Sequence, residues 1–140
     1  MTTSRYPECR FLPDGRNIML SADIEYVGRL RWHARKGLVC DGASIPKLLW
    51  PFIGGPYEGR HRRSTILHDD KYQRLARETT CFKALVSKKR AIVDRMMLEI
   101  AIADGTDPIK ALIIYAGVRV GGWWAWRGHA LARAAESITR

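Results

Sequence analysis

Acidic residues are scarce in this chain, and cysteines scarcer still. Its 140 residues carry 24 Lys and Arg against 14 Asp and Glu, a formal charge of +10. Cys9, Cys40 and Cys81 are an odd number with no CxxC spacing. That argues against both a disulfide framework and a cysteine-ligated zinc site. No Ser/Gly-rich linker, low-complexity run or repeat divides the chain, so a single domain over 1–140 is expected. The longest apolar run, Ala111 to Val118, is too short to cross a bilayer. The N-terminal MTTSRYPECR lacks the apolar core of a signal peptide. A reducing cytoplasm is the compartment these absences lead one to expect.

What is present is an ordinary globular composition, 46% hydrophobic. A chain of this length buries roughly two-thirds of its unfolded surface. The basic surplus favours polyanionic neighbours: nucleic acid, an anionic membrane face or an acidic protein. It is equally the mark of a soluble basic surface, and charge alone does not choose.

Residues 1–16 read as irregular, with Pro7, Pro13 and an Asp14-Gly15 turn. Between Asn17 and Cys40, β-formers at short spacing broken by Gly28 and Gly37 predict two or three antiparallel strands. The loop DGASIP and a short apolar segment, KLLWPFI, follow. After Gly59 the pattern turns helical and gathers His61, His68, Tyr72, Leu75 and Ala76 on one side. Arg63, Asp70, Arg74 and Arg77 gather on the other. A second helix is predicted from an N-cap at Ser87 to about Ala103, with Ile92, Val93, Met96, Met97, Ile100 and Ala101 inward. Asp107-Pro108 opens a third, reaching about Val120. HALARAAESI closes the chain as a last helical stretch. The fold class is α+β: a small N-terminal antiparallel β-meander followed by three to four packed helices.

Candidate chemistry centres on His68, Asp69, Tyr72, Asp94 and Asp41. On a helix His68 and Tyr72 face the same way, with Asp69 about 100° round. The imidazole can act as base towards water while the adjacent carboxylate holds a metal ion. The plainer alternative is a buried histidine bonded to a carbonyl beside a surface aspartate. Asp94 falls within an apolar arc, where an unpaired charge costs several kcal/mol. Either Arg90 one turn earlier neutralises it, or it accepts a hydrogen bond from His68 and fixes its tautomer. Asp41 leaves a strand into a Gly/Ser/Pro-bounded loop, as a ligand or as a simple turn former. Ser44 lacks a nucleophile-elbow context and reads as a cap. Trp123, Trp124 and Trp126, among Arg119, Arg127 and His129, can stack bases, lie at a membrane interface, or close the core. Arg60, Arg62 and Arg63 precede a helix whose dipole they oppose, a hint of a bound anion.

CDGASIPKLLW, HDDKY, VDRMMLEIAIADG and YAGVRVGGWW, in this order over residues 17–126, resemble the DUF1353 family of phage and prophage proteins. That resemblance implies a viral or prophage setting, with synthesis in the cytoplasm of a bacterial host and a place in or near the virion. Asp70-Lys71 stands where the family prefers bulkier apolar residues. A second likeness is to the phospholipase A2 site. It implies His68 as the base, Asp69 and the Asp41 loop as a Ca²⁺ site, and Asp94 as the group that orients His68. DGASIP stands in for the Gly-rich calcium loop of that family. The readings that follow are a metal-assisted ester hydrolase acting at anionic lipid, a non-enzymatic virion or assembly component built on a buried polar network, and a nucleic-acid-binding or anti-defence module.

Overall fold

The computed structural model describes residues 6–15, 17–40, 51, 59–78 and 83–121. Five short strands come first: β1 (Cys9–Phe11), β2 (Ile18–Leu20), β3 (Ile24–Val27), β4 (Arg31–Ala34) and β5 (Val39–Cys40). Two long helices follow, α1 (Arg62–Glu78) and α2 (Lys83–Ala103). A third, α3, begins at residue 108 and is helical through 121. This is the α+β order expected. KLLWPFI (except Pro51), the last helical stretch, Cys81 and the DGASIP loop with Ser44 lie outside the described residues.

The strands form two sheets. β1, β2 and β5 make one, in that spatial order, with Cys9 opposite Leu20 and Ile18 opposite Cys40. β3 and β4 pair as a hairpin with Tyr26 opposite Trp32. Four strands therefore lie between Asn17 and Cys40, where two or three were expected. β1 also falls inside the stretch read as irregular. The Asp14-Gly15 signal was a hairpin turn: the Asp14 carboxylate accepts from the Asn17 amide at 2.9 Å, and Gly15 takes a positive φ. Period-two alternation sets the faces, with Ile18, Leu20, Trp32 and Ala34 all buried.

These side chains meet Ile66 and Leu67 from α1 and Val93, Met96 and Ile100 from α2 in one core. Burying an aliphatic side chain of this size contributes about 1.5–3 kcal/mol. Met97 faces the other way, to Ile114 and Val118 of α3. α2 is thus covered on two sides, which is why its apolar arc is broad. Ile92, expected inside that arc, is 54% exposed. The helix also starts at Lys83, one turn before the predicted cap at Ser87. Lys83-Ala84-Leu85-Val86 holds no breaker and three of the four are good helix formers, so nothing stops the helix growing backwards past Ser87.

Gly105 ends α2 at φ +88°, with Thr106 N–H donating to Ala101 C=O and Gly105 N–H to Ile102 C=O, both at 2.9 Å. That is the Schellman pattern, and a Cβ at 105 would stand 2.8 Å from the Arg60 guanidinium. The Asp107 carboxylate then caps α3, accepting from the amides of Ile109 and Lys110 at 3.0 and 3.1 Å.

Candidate functional site

α1 and α2 pack along their length, and at the middle of their seam three polar side chains converge. His68 Nε2 lies 2.7 Å from Asp94 Oδ1. Tyr72 Oη donates to the same oxygen at 2.6 Å. The other carboxylate oxygen, Oδ2, accepts from Arg119 Nη1 of α3 at 2.8 Å. Asp94 is fully buried and His68 is 4% exposed. A carboxylate at that depth is tolerable because donors satisfy both of its oxygens.

Of the two partners weighed for Asp94, the carboxylate takes His68. Arg90 instead donates to Tyr72 Oη at 3.4 Å, its guanidinium 5.8 Å from the ring centroid. The His68 and Tyr72 rings also lie against each other, tilted by 32° with centroids 4.2 Å apart. Arg119 is the residue the sequence reading missed, having been grouped with the tryptophans. A signal existed: on α3 it borders the stripe of Ala111, Ile114 and Val118, all buried. An aspartate in an apolar arc needs a cation from somewhere.

Charge and hydrogen bonding fix the protonation states. Burial works to raise the Asp94 pKa, but hydrogen bonds from His68, Tyr72 and Arg119 outweigh it and hold the carboxyl below its ordinary range. Tyr72 is pushed well up, first by burial and then by its bond to the carboxylate, so it stays a phenol and a donor. With Asp94 ionised, the imidazole proton belongs on Nε2. Once the ring loses its second proton, its lone pair is on Nδ1. That atom is buried, makes no hydrogen bond among the described residues, and lies 3.8 Å from Asp69 Oδ1.

Burial by itself would lower the His68 pKa. The carboxylates of Asp69 and Asp94 overcome that, and the net shift is upward. Folding therefore binds the His68 proton more tightly than the unfolded chain, whose value is about 6.5. The resulting stabilisation is complete below about pH 6.5 and is lost as pH rises through the higher folded value. Urea midpoints of the wild type should accordingly fall on the alkaline side of neutrality. His68→Asn should flatten that fall. A wild-type midpoint that climbs across the same range would contradict the assignment.

The remaining candidates divide. Arg63, assigned to the outer face and to an anion, belongs to the interior. It is 7% exposed, and its guanidinium grips both carboxylate oxygens of Asp104, with Nε to Oδ2 at 2.9 Å. It also reaches the Glu25 carbonyl at 3.4 Å and lies 5.3 Å from the Tyr26 ring centroid. Asp104 outcompetes any solvent anion there, because the pair is buried and bidentate. Arg60 is exposed and touches the Gly105 carbonyl at 3.5 Å. Arg62 is half-buried beside Cys9. Asp70 is buried and paired with Arg74 at 2.8 Å. Asp41, Trp123 and Trp124 lie outside the described residues. The chain does enter the Asp41 loop beside α1: Gln73 donates to the Val39 carbonyl at 2.9 Å, and Cys40 is buried.

Against known proteins, the family model described as "Protein of unknown function (DUF1353)" matches residues 18–118. The chain belongs to the DUF1353 family. The match takes in β2 to α3, and so His68, Tyr72, Asp94 and Asp104. Uncharacterized protein y4iH of Sinorhizobium fredii is 32% identical over 119 residues, 81% of this chain and 44% of that protein. Uncharacterized protein y4jT of the same organism is 40% identical over 52 residues, 36% of this chain and 16% of that protein. The chain thus spans less than half the length of the curated relatives it matches. No solved structure matches it significantly. No described helix is long and apolar enough to cross a membrane.

Proposed function

We propose that this DUF1353 chain carries an ester-hydrolase site in which His68 is the general base and Asp94 orients it. One observation carries the reading: Asp94 holds His68 at Nε2, which turns Nδ1 towards the Asp69 carboxylate, 3.8 Å away. In the neutral ring Nδ1 can remove a proton from a water as that water attacks an ester carbonyl, a step that requires the enclosure of this buried atom to open. The positive charge that develops on the ring is stabilised by Asp94 at 2.7 Å. Tyr72 and Arg119 keep the carboxylate ionised and its angle fixed. A net charge of +10 would bring the protein to anionic lipid, the substrate surface that the phospholipase A2 likeness suggests. A phage or prophage setting remains part of this proposal.

Calcium is a separate question. The ion takes 6–8 oxygen ligands, whereas no group of three His, Cys, Asp or Glu residues able to hold a metal exists among the described residues. Asp69 by itself does not make the site, so no catalytic step is assigned to a metal. If the Asp41 loop completes it, calorimetry will show Ca²⁺ binding by the wild type and its loss in Asp69→Asn. Absence of binding at millimolar Ca²⁺ removes the metal from the proposal.

A second reading is favoured by the enclosure of Nδ1 and by the full burial of Asp94. In it the same residues form a buried polar network that specifies how α1, α2 and α3 pack, in a virion or assembly component. Fatty acid release from anionic vesicles separates the two. The hydrolase reading requires it from the wild type, with or without added Ca²⁺.

A further inference from the structure

A groove of about 400 Å³ opens between the β3–β4 hairpin and the α1–α2 seam. Its floor is apolar: Trp32, Leu75 and Val93, all buried, with Leu30 and Ile92 half exposed at the edges. Arg31, Lys71, Arg74 and Lys89 surround that floor, and no acidic side chain is among the described residues that line it. Arg31 is held by Glu25 and Arg74 by Asp70, so two of the four charges are already answered from outside the groove. Lys71 and Lys89 make no ion pair among the described residues. Lys71 Nζ instead stands 5.5 Å from the centroid of the Trp32 ring.

We propose that this groove binds a single-chain anionic amphiphile, its alkyl tail between the exposed Leu30 and Ile92 side chains over the buried floor and its acid group at Lys71 and Lys89. Volume and chemistry both fit, since small-molecule sites run from about 300 Å³ upward and pair apolar walls with a few polar groups. A nucleic-acid base fits less well, because Trp32 is only 3% exposed and offers no free face for stacking. A second copy of the chain would bring the same four cations to the same place and be repelled. The groove lies off the His68–Asp94 pair, and its ligand does not depend on the hydrolase proposal.

Calorimetry on the full chain with monomeric decanoate tests this. Decanoate should bind, and hexanoate should bind about tenfold more weakly, near twofold for each methylene lost, because an open groove buries each one only in part. Decanol should lose about tenfold against decanoate. Combining Lys71→Gln with Lys89→Gln should weaken decanoate about tenfold and leave decanol unchanged, and Ile92→Glu should abolish both. All three positions are at least partly exposed, and unchanged melting curves will show that the variants are folded. The proposal is overturned by any of four results: no decanoate binding, equal affinity for decanol, indifference to the lysine pair, or binding to anionic vesicles alone. Light scattering that finds a dimer abolished by Ile92→Glu would overturn it too, in favour of self-association.

Discussion

Purified His68→Asn should lose about 10²–10⁴-fold of the ester hydrolysis seen with wild type on anionic vesicles, while melting near the wild-type temperature. The rate term is what a positioned general base contributes. The stability term follows from the geometry. Asp94 Oδ2 keeps Arg119 and Oδ1 keeps Tyr72, so removing the imidazole does not leave a bare buried carboxylate. If the network is structural only, the outcome is reversed. Loss of the hydrogen bond and of the Tyr72 ring contact would then cost about 1–3 kcal/mol. For a domain of this size each kcal/mol moves the melting temperature by roughly 3–5 °C. Wild type would release no fatty acid in that case. A silent wild type together with a markedly destabilised His68→Asn would end the hydrolase proposal.

Arg63→Met is expected to be the most destabilising single change, at about 3–5 kcal/mol, because it strands Asp104 buried without its cation. A loss that large is a substantial part of the ~5–15 kcal/mol available to a domain. The double variant Arg63→Met with Asp104→Leu should recover most of it, since burying two apolar groups avoids the desolvation that the ion pair must overcome. Arg60→Ala, by contrast, should change stability by less than about 0.5 kcal/mol, its guanidinium being exposed. Urea titrations of the four proteins measure all three effects. If Arg63→Met melted like wild type and lost only affinity for phosphate, the anion role read from the sequence would return.

The sequence by itself determined what local chemistry can determine. Asp107-Pro108 capped and opened a helix, Asp104-Gly105 closed one, and β-formers at short spacing marked the strand region. Each is a matter of backbone geometry within a few residues. His68 and Tyr72 shared a face because they are one helical turn apart, and Asp94 fell inside an apolar arc by the same counting. The wheel also showed that Asp94 needed a partner. It did not show which, since Arg90 at i−4 and His68 on another helix satisfy the charge equally well on paper. Packing of α1 against α2 made that choice, and α3 added Arg119 from 25 residues away.

Arg63 went wrong for the same reason. A charged residue beside other charged residues reads as outward-facing until a buried Asp104, 41 residues on, gives it an interior partner. Likewise the cationic groove gathers Arg31 from β4, Lys71 and Arg74 from α1, and Lys89 from α2. No window of sequence contains them all. Local periodicity specifies which way a side chain points from its own element. What it meets there depends on long-range contacts, and only the tertiary structure decided those.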